Sequence, residues 1–544
     1  MNLSANIQKR LNLSNFKWYR LLLVLVILLI GVGLRLYALE DIYLWADETD
    51  WFDEEIYGEK SMSLRKYAAL KASYHTVGPG WPIIVSLTCR AFGGKAAVAR
   101  IPSVLFGAAA ILAIFSLVYR VLQSHLRGSA FLPAFYAALL TAISILQLEF
   151  SQRTYPFAAI PVLTTLIVIL HLEMVRVIQS DKVSIGKFSI FAFLYTLVGG
   201  FSIFLHMSFS VVIGGSFLCF LVLVPRFLKL NRQDQVIIIG ISALAVLGLF
   251  LAWVGNAIPL SQSGYRWYLS PYYHRLDSGA ISFLLTRAYD VFTYHLNLFY
   301  NGILYWPRHL NPVLLPLVGL CIFGWIYAAL GKFGQAAKYL SLLATGCMVL
   351  TAVLALLKKY PFGGVRQTIF MTPFLLSFTA IGFYTVVRSP KLKPIGVVVA
   401  VAYIILWMIN LPHFYRERVQ PFDSKELMTT WEQSGKLKVY TLGGSNESIR
   451  YRLRGQPRIE IKDLPWPRLP NEESFLLVST HWSIEDELWR PKLKGEIESS
   501  GFVGTLLMNR LPKYPLKRDY IQSLYYPPNG LWVYKISMAE NSGR

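Results

Sequence analysis

Eleven apolar runs along the chain constrain its fold more than any other feature. They cover residues 19–38, 98–119, 130–148, 155–175, 188–206, 208–228, 235–257, 311–331, 338–357, 367–387 and 394–411. Most of them reach the roughly 20 residues that an α-helix needs to cross a bilayer. Charged residues make up only 15% of the chain and hydrophobic residues 54%, whereas soluble domains carry about 25% charged residues. The sequence therefore predicts an α-helical polytopic membrane protein with about 11 spanning helices.

Basic residues gather in the N-terminal segment and in alternate connections between the runs. They are Lys9, Arg10, Lys17, Arg20, Arg120, Arg127, Arg176, Lys182, Lys187, Arg226, Lys229, Arg232, Lys332, Lys338, Arg388, Lys391 and Lys393, against the acids Asp181 and Asp234. If the runs alternate across the membrane, all of these residues lie on one side, as the positive-inside rule requires. This predicts a cytoplasmic N-terminus, with a bacterial plasma membrane as the expected location. Topology thus explains most of the net charge of +22, and nothing favours nucleic-acid binding.

Three regions are expected on the outer side of the membrane. The first loop, 39–97, contains the short apolar stretch 79–94, which predicts an interfacial or re-entrant helix because a twelfth span would invert every later basic loop. The second loop, 258–310, is rich in aromatic residues, which suit a membrane interface and could also stack on a sugar. Residues 412–544 contain short apolar runs at 438–444, 474–480 and 530–537, which predict strands, and a stretch at 483–489 that predicts a helix. They therefore predict a soluble α/β domain that follows a membrane domain over 1–411.

An acidic cluster follows the first apolar run. Asp47 and Glu48 lie between Trp45 and Trp51, in a stretch expected at the outer membrane interface. One interpretation is a solvated acidic loop. The other is a catalytic carboxylate, because partial desolvation raises the pKa of a carboxyl group and makes it a better base.

Two further charged groups are predicted at the outer ends of spans. Glu149 and Arg153 are four residues apart, which is the spacing of a helical ion pair, but charges so near a membrane also favour a functional role. Arg366 follows a Gly363–Gly364 turn on the side where positive charge is disfavoured. Backbone amides beside a guanidinium could cradle a phosphate, and the alternative is an arginine that extends to lipid headgroups.

Taken together, these motifs resemble the GT-C membrane glycosyltransferases, which include protein O-mannosyltransferases and lipid A aminoarabinose transferases. The resemblance covers residues 19–390. The family's Asp-Glu pair in the first external loop corresponds to Asp47 and Glu48, and its His-Pro-Pro-Leu-like stretch corresponds loosely to His75 in HTVGPGWP. The family's Arg-Leu-Pro-Ser motif corresponds to residues 100–103, and its Ser-Gln-Glu-Ala-Arg motif aligns with residues 151–153 without the glutamate, for which Glu149 is a candidate substitute.

This resemblance implies transfer of a sugar from a polyprenyl-phosphate donor to a glycan, lipid or protein acceptor, with inversion at the anomeric carbon. Asp47 is then the general base, with Glu48 beside it, and Arg366 with Arg153 binds the lipid phosphate. His75, Glu149, Gly363 and Gly364 complete the predicted substrate-binding set. No metal is required, although the acidic cluster could hold a divalent ion.

Two other functions compete with this one. A transporter or flippase of lipid-linked sugars would carry charges near the bilayer midplane on broken helices, whereas the charges of this chain gather at the outer ends of the predicted spans. A scaffold without catalysis, whose exported domain binds a partner, is opposed only by the intact Asp47–Glu48 pair.

Overall fold

A computed structural model describes residues 3–40, 42, 78–261, 272–274, 278–298, 312–418, 424–441, 461–463, 474–480, 502–510 and 531–538. The chain divides into two compact units. The first, the helical unit, comprises Met1–Tyr37, Lys60–Gly93 and Ala97–Asn410. The second comprises Ala38–Glu59, Gly94–Ala96 and Leu411–Arg544.

Helices, most of them long, make up most of the described part of the first unit. In chain order they are α1 (Leu3–Leu36), α2 (Gly80–Phe92), α3 (Ala96–Leu126), α4 (Phe131–Ile143), α5 (Ile145–Ser151), α6 (Ala159–Gln179), α7 (Ile185–Leu205), α8 (Phe209–Leu221), α9 (Val224–Phe227), α10 (Arg232–Ser261), α11 (Ala280–His295), α12 (Leu315–Ala329), α13 (Gln335–Leu356), α14 (Thr372–Arg388) and α15 (Lys393–Arg418). Short 3₁₀ turns precede some of them, including Pro156–Ala158 before α6 and Arg366–Met371 before α14.

The predicted spans coincide with helices. Within the described residues, eight helices are long and apolar enough to cross a membrane, or nine if the bent pair α4–α5 is one span. Two shorter apolar helices, α8 and α12, occupy the remaining predicted positions. The chain is a multi-pass integral membrane protein, and the count of 11 spans remains a prediction.

The helices differ in how far they are covered by protein. In the span Arg366–Arg388, 83% of the most apolar stretch is buried, whereas in Arg232–Val254 only 11% is. Leu244 on α10 and Val398 on α15 are 70% and 67% exposed. Such apolar faces need lipid to cover them, so α14 lies in the centre of the bundle and α10 and α15 lie at its edge.

Two features of the bundle position the site described below. Helix α2 has 13 residues and is thus about 20 Å long, too short to span a bilayer, in line with the prediction for residues 79–94. The second feature is the break of 56° between α4 and α5. The guanidinium of Arg35 on α1 donates hydrogen bonds to the carbonyls of Thr141 and Ala142 at the end of α4 and to Ser151 Oγ at the end of α5. It therefore satisfies carbonyls that the break removes from the helical hydrogen-bond ladder.

The second unit contains a mixed sheet. Its strands are β1 (Val439–Thr441), β2 (Ile461–Asp463), β3 (Ser474–Thr480), β4 (Phe502–Arg510) and β5 (Leu531–Met538), in the order β2-β1-β3-β5-β4. Strand β1 pairs in parallel with β2 and β3, and β5 pairs antiparallel with β3 and β4. Helix α16 (Ser424–Gln433) precedes β1. The runs predicted as strands at 438–444, 474–480 and 530–537 each contain one, and the predicted helix at 483–489 lies outside the described residues.

Candidate functional site

The predicted site residues fall into two groups. Asp47, Glu48 and His75 lie outside the described residues. Glu149, Arg153, Gly363, Gly364 and Arg366 all belong to the helical unit, where their surroundings can be described.

The segment that follows α5 is held in place by three other helices. The side-chain amide of Gln152 donates to the carbonyls of Leu34, Arg35 and Tyr37 at the end of α1, at 3.1, 3.3 and 3.0 Å. Trp81 Nε1 of α2 donates to the carbonyl of Thr154 at 3.4 Å. Ser103 Oγ of α3 donates to the carbonyl of Tyr155 at 3.2 Å. Gln152 and Ser103, which carry the family resemblance, therefore fix the backbone that presents Tyr155.

Arg366 lies above the aromatic rings of this fixed segment. Its guanidinium carbon is 5.5 Å from the centre of the Tyr155 ring and 5.4 Å from that of Phe157. Both rings are buried, and Arg366 is partly exposed. A guanidinium within about 6 Å of an aromatic face is held by the negative potential of the ring. The two buried rings thus orient the arginine, and part of the residue remains accessible to solvent.

A histidine that the sequence analysis did not single out adjoins Arg366. His206 lies in the turn between α7 and α8, and its ring centre is 5.3 Å from that of Phe157. The backbone N–H of Ser208 donates to His206 Nδ1 at 3.1 Å, which assigns the proton of the neutral ring to Nε2. Nε2 is buried and has no hydrogen-bond partner among the described residues. Burial, and secondly the positive charge of Arg366, lower the pKa of His206 to about 3, so the imidazole is neutral at neutral pH.

Hydroxyl groups connect His206 to the turn that carries Arg366. Ser208 Oγ lies 2.7 Å from His206 Nδ1 and 3.0 Å from the carbonyl oxygen of Gln367. Tyr360 Oη lies 2.7 Å from Ser208 Oγ and 2.6 Å from the same carbonyl oxygen. This network joins the α7–α8 turn to the 3₁₀ turn that begins at Arg366. We call the group formed by Tyr155, Phe157, His206, Ser208, Arg366 and Gln367 the Arg366 site.

The two glycines before Arg366 are packed rather than exposed. Gly363 has φ +142°, and a Cβ there would lie 2.7 Å from the Tyr272 ring. A Cβ on Gly364 would lie 2.8 Å from the carbonyl oxygen of Asp290 and 2.9 Å from Tyr294 Cβ. The pair thus lets the loop pack closely against α11. The sequence suggested backbone amides exposed to a phosphate, whereas both glycines are buried in the structure. Phosphate binding by these glycines remains a prediction.

A second buried histidine fixes the same turn. His295, the last residue of α11, lies 3.1 Å through Nε2 from Thr368 Oγ1 and 3.0 Å through Nδ1 from Thr372 Oγ1. Thr368 Oγ1 lies 2.8 Å from the carbonyl oxygens of Gly363 and Val365. Burial lowers the pKa of His295 to about 3. The loop before Arg366 is therefore held from α11 as well as from the α7–α8 turn.

Glu149 and Arg153 form an ion pair. Arg153 Nη2 lies 3.8 Å from Glu149 Oε1, and the side chain of Arg153 is 1% exposed. This is the ion-pair interpretation of the sequence spacing. A substrate-binding role for either residue remains a prediction.

No group of three or more His, Cys, Asp or Glu side chains suited to a metal ion occurs in the part of the chain that the structure describes. The acidic cluster in which a divalent ion was considered lies largely outside that part, at residues 41 and 43–77.

Arg35 and His206 escaped the sequence analysis for different reasons. Arg35 is a fully buried charge within an apolar run, and such a charge is itself a signal of a structural or functional contact. His206 gave no such signal, because Phe157 and Arg366, which adjoin it, lie far from it in the sequence.

No protein-family model and no curated protein sequence matches the chain. Several solved structures are similar to it. ArnT from Cupriavidus metallidurans bound to undecaprenyl phosphate has 12% identity and a TM-score of 0.52, with 96% of this chain and 99% of that chain covered. The apo state of the same protein has 13% identity and a TM-score of 0.49 over 98% and 100% of the two chains.

The archaeal oligosaccharyltransferase AglB from Archaeoglobus fulgidus, solved with an inhibitory peptide and a dolichol-phosphate, has 12% identity and a TM-score of 0.49 over 93% of this chain and 77% of its own. At such identities a likeness concerns the fold. ArnT is a GT-C protein, and the likeness to its undecaprenyl-phosphate-bound form covers nearly the whole of both chains. The chain therefore has a fold similar to that of ArnT, the GT-C fold.

Proposed function

We propose that this protein is a membrane glycosyltransferase that moves a sugar from a polyprenyl-phosphate donor to a glycan, lipid or protein acceptor at the outer face of the membrane. The observation that carries the proposal is the Arg366 site. It contains a partly exposed arginine, whose guanidinium lies over Tyr155 and Phe157, at one end of a bundle with the GT-C fold. ArnT, which has that fold, was solved with undecaprenyl phosphate bound.

Arg366 is suited to the phosphate of such a donor. A guanidinium can give two parallel N–H···O hydrogen bonds to phosphate, and these are stronger than neutral hydrogen bonds. In the reaction the bond between the anomeric carbon and the phosphate oxygen breaks, and negative charge accumulates on the departing polyprenyl phosphate. A cation already fixed by Tyr155 and Phe157 stabilises that charge without reorganising.

The other half of the reaction is assigned to Asp47. Its carboxylate takes the proton of the acceptor hydroxyl, whose oxygen then forms the new bond to the anomeric carbon from the face opposite the phosphate. A single displacement of this kind inverts the anomeric configuration. Glu48 orients the acceptor beside it. Gln152 holds the end of α1 as far as Tyr37, ten residues before Asp47 in the sequence.

The test is transfer of label by the full-length protein in vesicles. A panel of polyprenyl-phosphate sugars labelled in the sugar is supplied with membrane extract as the acceptor source, and Asp47→Asn is run in parallel. We expect the label of one donor to leave the lipid carrier and appear on an acceptor with wild-type protein only. Label that changes leaflet but stays on the lipid would instead establish a flippase. Equal transfer by wild type and Asp47→Asn would exclude the assigned base.

A further inference from the structure

The helical unit has an open cavity of about 730 Å³ at the end of the bundle away from the Arg366 site. It lies among the ends of four helices: Arg20 near the start of the span Trp18–Leu36, Phe131 at the start of α4, Arg388 at the end of α14 and Lys393 at the start of α15. The 17 residues of α14 separate it from the Arg366 turn by about 25 Å. We call it the basic cavity.

The charges in the basic cavity are all positive. Arg20, Arg388 and Lys393 line it, and no Asp or Glu is among the described residues that do. The guanidinium carbon of Arg20 lies 5.1 Å from the centre of the Phe131 ring. Arg388 Nη1 donates to Tyr384 Oη at 3.3 Å. Two of the three cations are therefore oriented by aromatic neighbours, and the cavity is complementary to an anion.

The rest of the wall points to an amphiphilic ligand. Eight of the twelve lining residues are aromatic or aliphatic, among them Leu23, Phe135 and Val387. A free inorganic anion would leave this apolar surface wet. The apolar faces next to the cavity are open as well, since Leu22 on α1 is 56% exposed and Val397 on α15 is 45% exposed. Acyl chains along these faces would cover them while a headgroup occupies the cavity.

We infer that the basic cavity binds the phosphate headgroup of an anionic membrane phospholipid, with its acyl chains lying along α1 and α15. Basic pockets between membrane helices at the cytoplasmic surface are the kind of site that binds such headgroups, and the positive-inside pattern predicts that this end of the bundle is cytoplasmic. The inference does not depend on the proposed transferase activity.

Retention of lipid by the purified full-length protein tests this inference. Phosphatidylglycerol and phosphatidylcholine with identical acyl chains are supplied in equal amounts, and the bound molecules are counted by native mass spectrometry. We expect wild type to retain phosphatidylglycerol in preference. In Arg388→Gln/Lys393→Gln the apparent affinity for phosphatidylglycerol should be roughly 10- to 30-fold weaker, because each cation near an anionic lipid surface contributes a factor of about five. The matched control is Lys332→Gln/Lys338→Gln, which removes two cations from another basic connection, outside the cavity, and should retain the preference.

Several outcomes would overturn the inference. One is that the wild type shows no preference for phosphatidylglycerol, and another is that Arg388→Gln/Lys393→Gln keeps the full preference. A third is that the control Lys332→Gln/Lys338→Gln loses as much affinity as the cavity variant. Displacement of phosphatidylglycerol by millimolar inorganic phosphate would indicate a site for the free anion. The single variant Lys393→Gln changes an exposed residue and serves if the double variant does not fold. It should show a smaller loss in the same direction.

Discussion

The span Arg366–Arg388 carries an arginine at each end, and the two ends are built differently. Arg366 lies on Tyr155 and Phe157, which come from more than 200 positions earlier in the chain. Arg388 contacts Tyr384, one turn earlier on the same helix, and lines an open cavity. One guanidinium is fixed by distant segments and the other by a local neighbour.

The two proposed sites for lipid phosphates therefore differ in how many segments of the chain hold their arginines. At the Arg366 end, hydrogen bonds with α1, α2, α3, α11 and the α7–α8 turn hold the backbone segments of the site, as electrostatic stabilisation of a transition state requires. At the Arg388 end, a few helix termini leave room for a headgroup to adjust. We therefore expect substitutions at the first end to reduce catalysis or folding, and substitutions at the second end to reduce lipid retention.

The largest expected effect concerns turnover, which should depend on the proposed catalytic residues and not on the basic cavity. Asp47→Asn keeps the size of the side chain but cannot accept a proton at neutral pH, so transfer should fall on the order of 10²- to 10⁴-fold while the donor still binds. Initial rates and donor affinity measured on the same vesicles check this.

Two controls sharpen the result. Asp53→Asn removes a carboxylate from the same loop, and Asp234→Asn removes one from the basic side, where Asn231 accepts a hydrogen bond from the Asp234 N–H. Both should retain near-normal transfer. Loss of transfer in Glu48→Gln as well would leave the base unassigned between the two neighbours, and a pH–rate profile would then choose.

The next effect concerns donor affinity. Arg366→Ala removes a charge-assisted partner of the phosphate and should cost roughly 1.5–3 kcal/mol, which is about 10- to 150-fold in the dissociation constant. Arg366→Lys should recover part, because an ammonium cannot form the bidentate fork. Arg388→Ala, at the other end of the span, should leave donor affinity unchanged in the same titration. Equal losses of donor affinity in Arg366→Ala and Arg388→Ala would contradict a donor-phosphate site at the Arg366 end alone.

A matched pair of glycine substitutions tests the difference in packing. Gly364→Ala places a Cβ 2.8 Å from a backbone oxygen of α11, so we expect a loss of about 1–3 kcal/mol in stability and a lower thermal midpoint. Gly186→Ala, near the start of α7, meets nothing within 4 Å and should be neutral or slightly stabilising. Thermal unfolding of both variants in the same detergent provides the measurement. A tolerated Gly364→Ala would show that the loop can move away from α11.

The smallest expected effect is acid sensitivity. The folded-state pKa of His206 is about 3, below the usual value of about 6.5, so the unfolded chain binds more protons between these values. The stability that neutral His206 contributes is thus complete above pH 6.5 and is lost as pH falls toward 3.

Between pH 6.5 and 5.5 the wild type should lose on the order of 1 kcal/mol through this residue, visible as a lower thermal midpoint. The thermal midpoint of His206→Gln should fall less over the same pH interval. Some decrease should remain, because burial also lowers the pKa of His295. Lipid retention at the basic cavity should not change over the same interval, since no histidine is among the described residues that line it. An identical acid response in His206→Gln and wild type would contradict the burial argument.

Much of the fold could be predicted because hydrophobicity over a window is a local property. Runs of apolar residues must form helices in a bilayer to satisfy their backbone groups, and helices stand at every predicted span. The short strands β1, β3 and β5 were predicted for a similar reason, from local alternation. Arg366 was predicted as a site residue because a positive charge on the disfavoured side is visible in the sequence.

The surroundings of Arg366 required the tertiary structure. His206 lies 160 positions from Arg366, and Gly364 is needed because of Asp290 and Tyr294 on α11. Likewise, spacing could not show that Gln152 fastens the end of α1. The sequence by itself determined which segments are helical and apolar, because that depends on each segment and its solvent. Only the tertiary structure decided which polar groups meet at the end of the bundle, because their proximity depends on how distant helices pack.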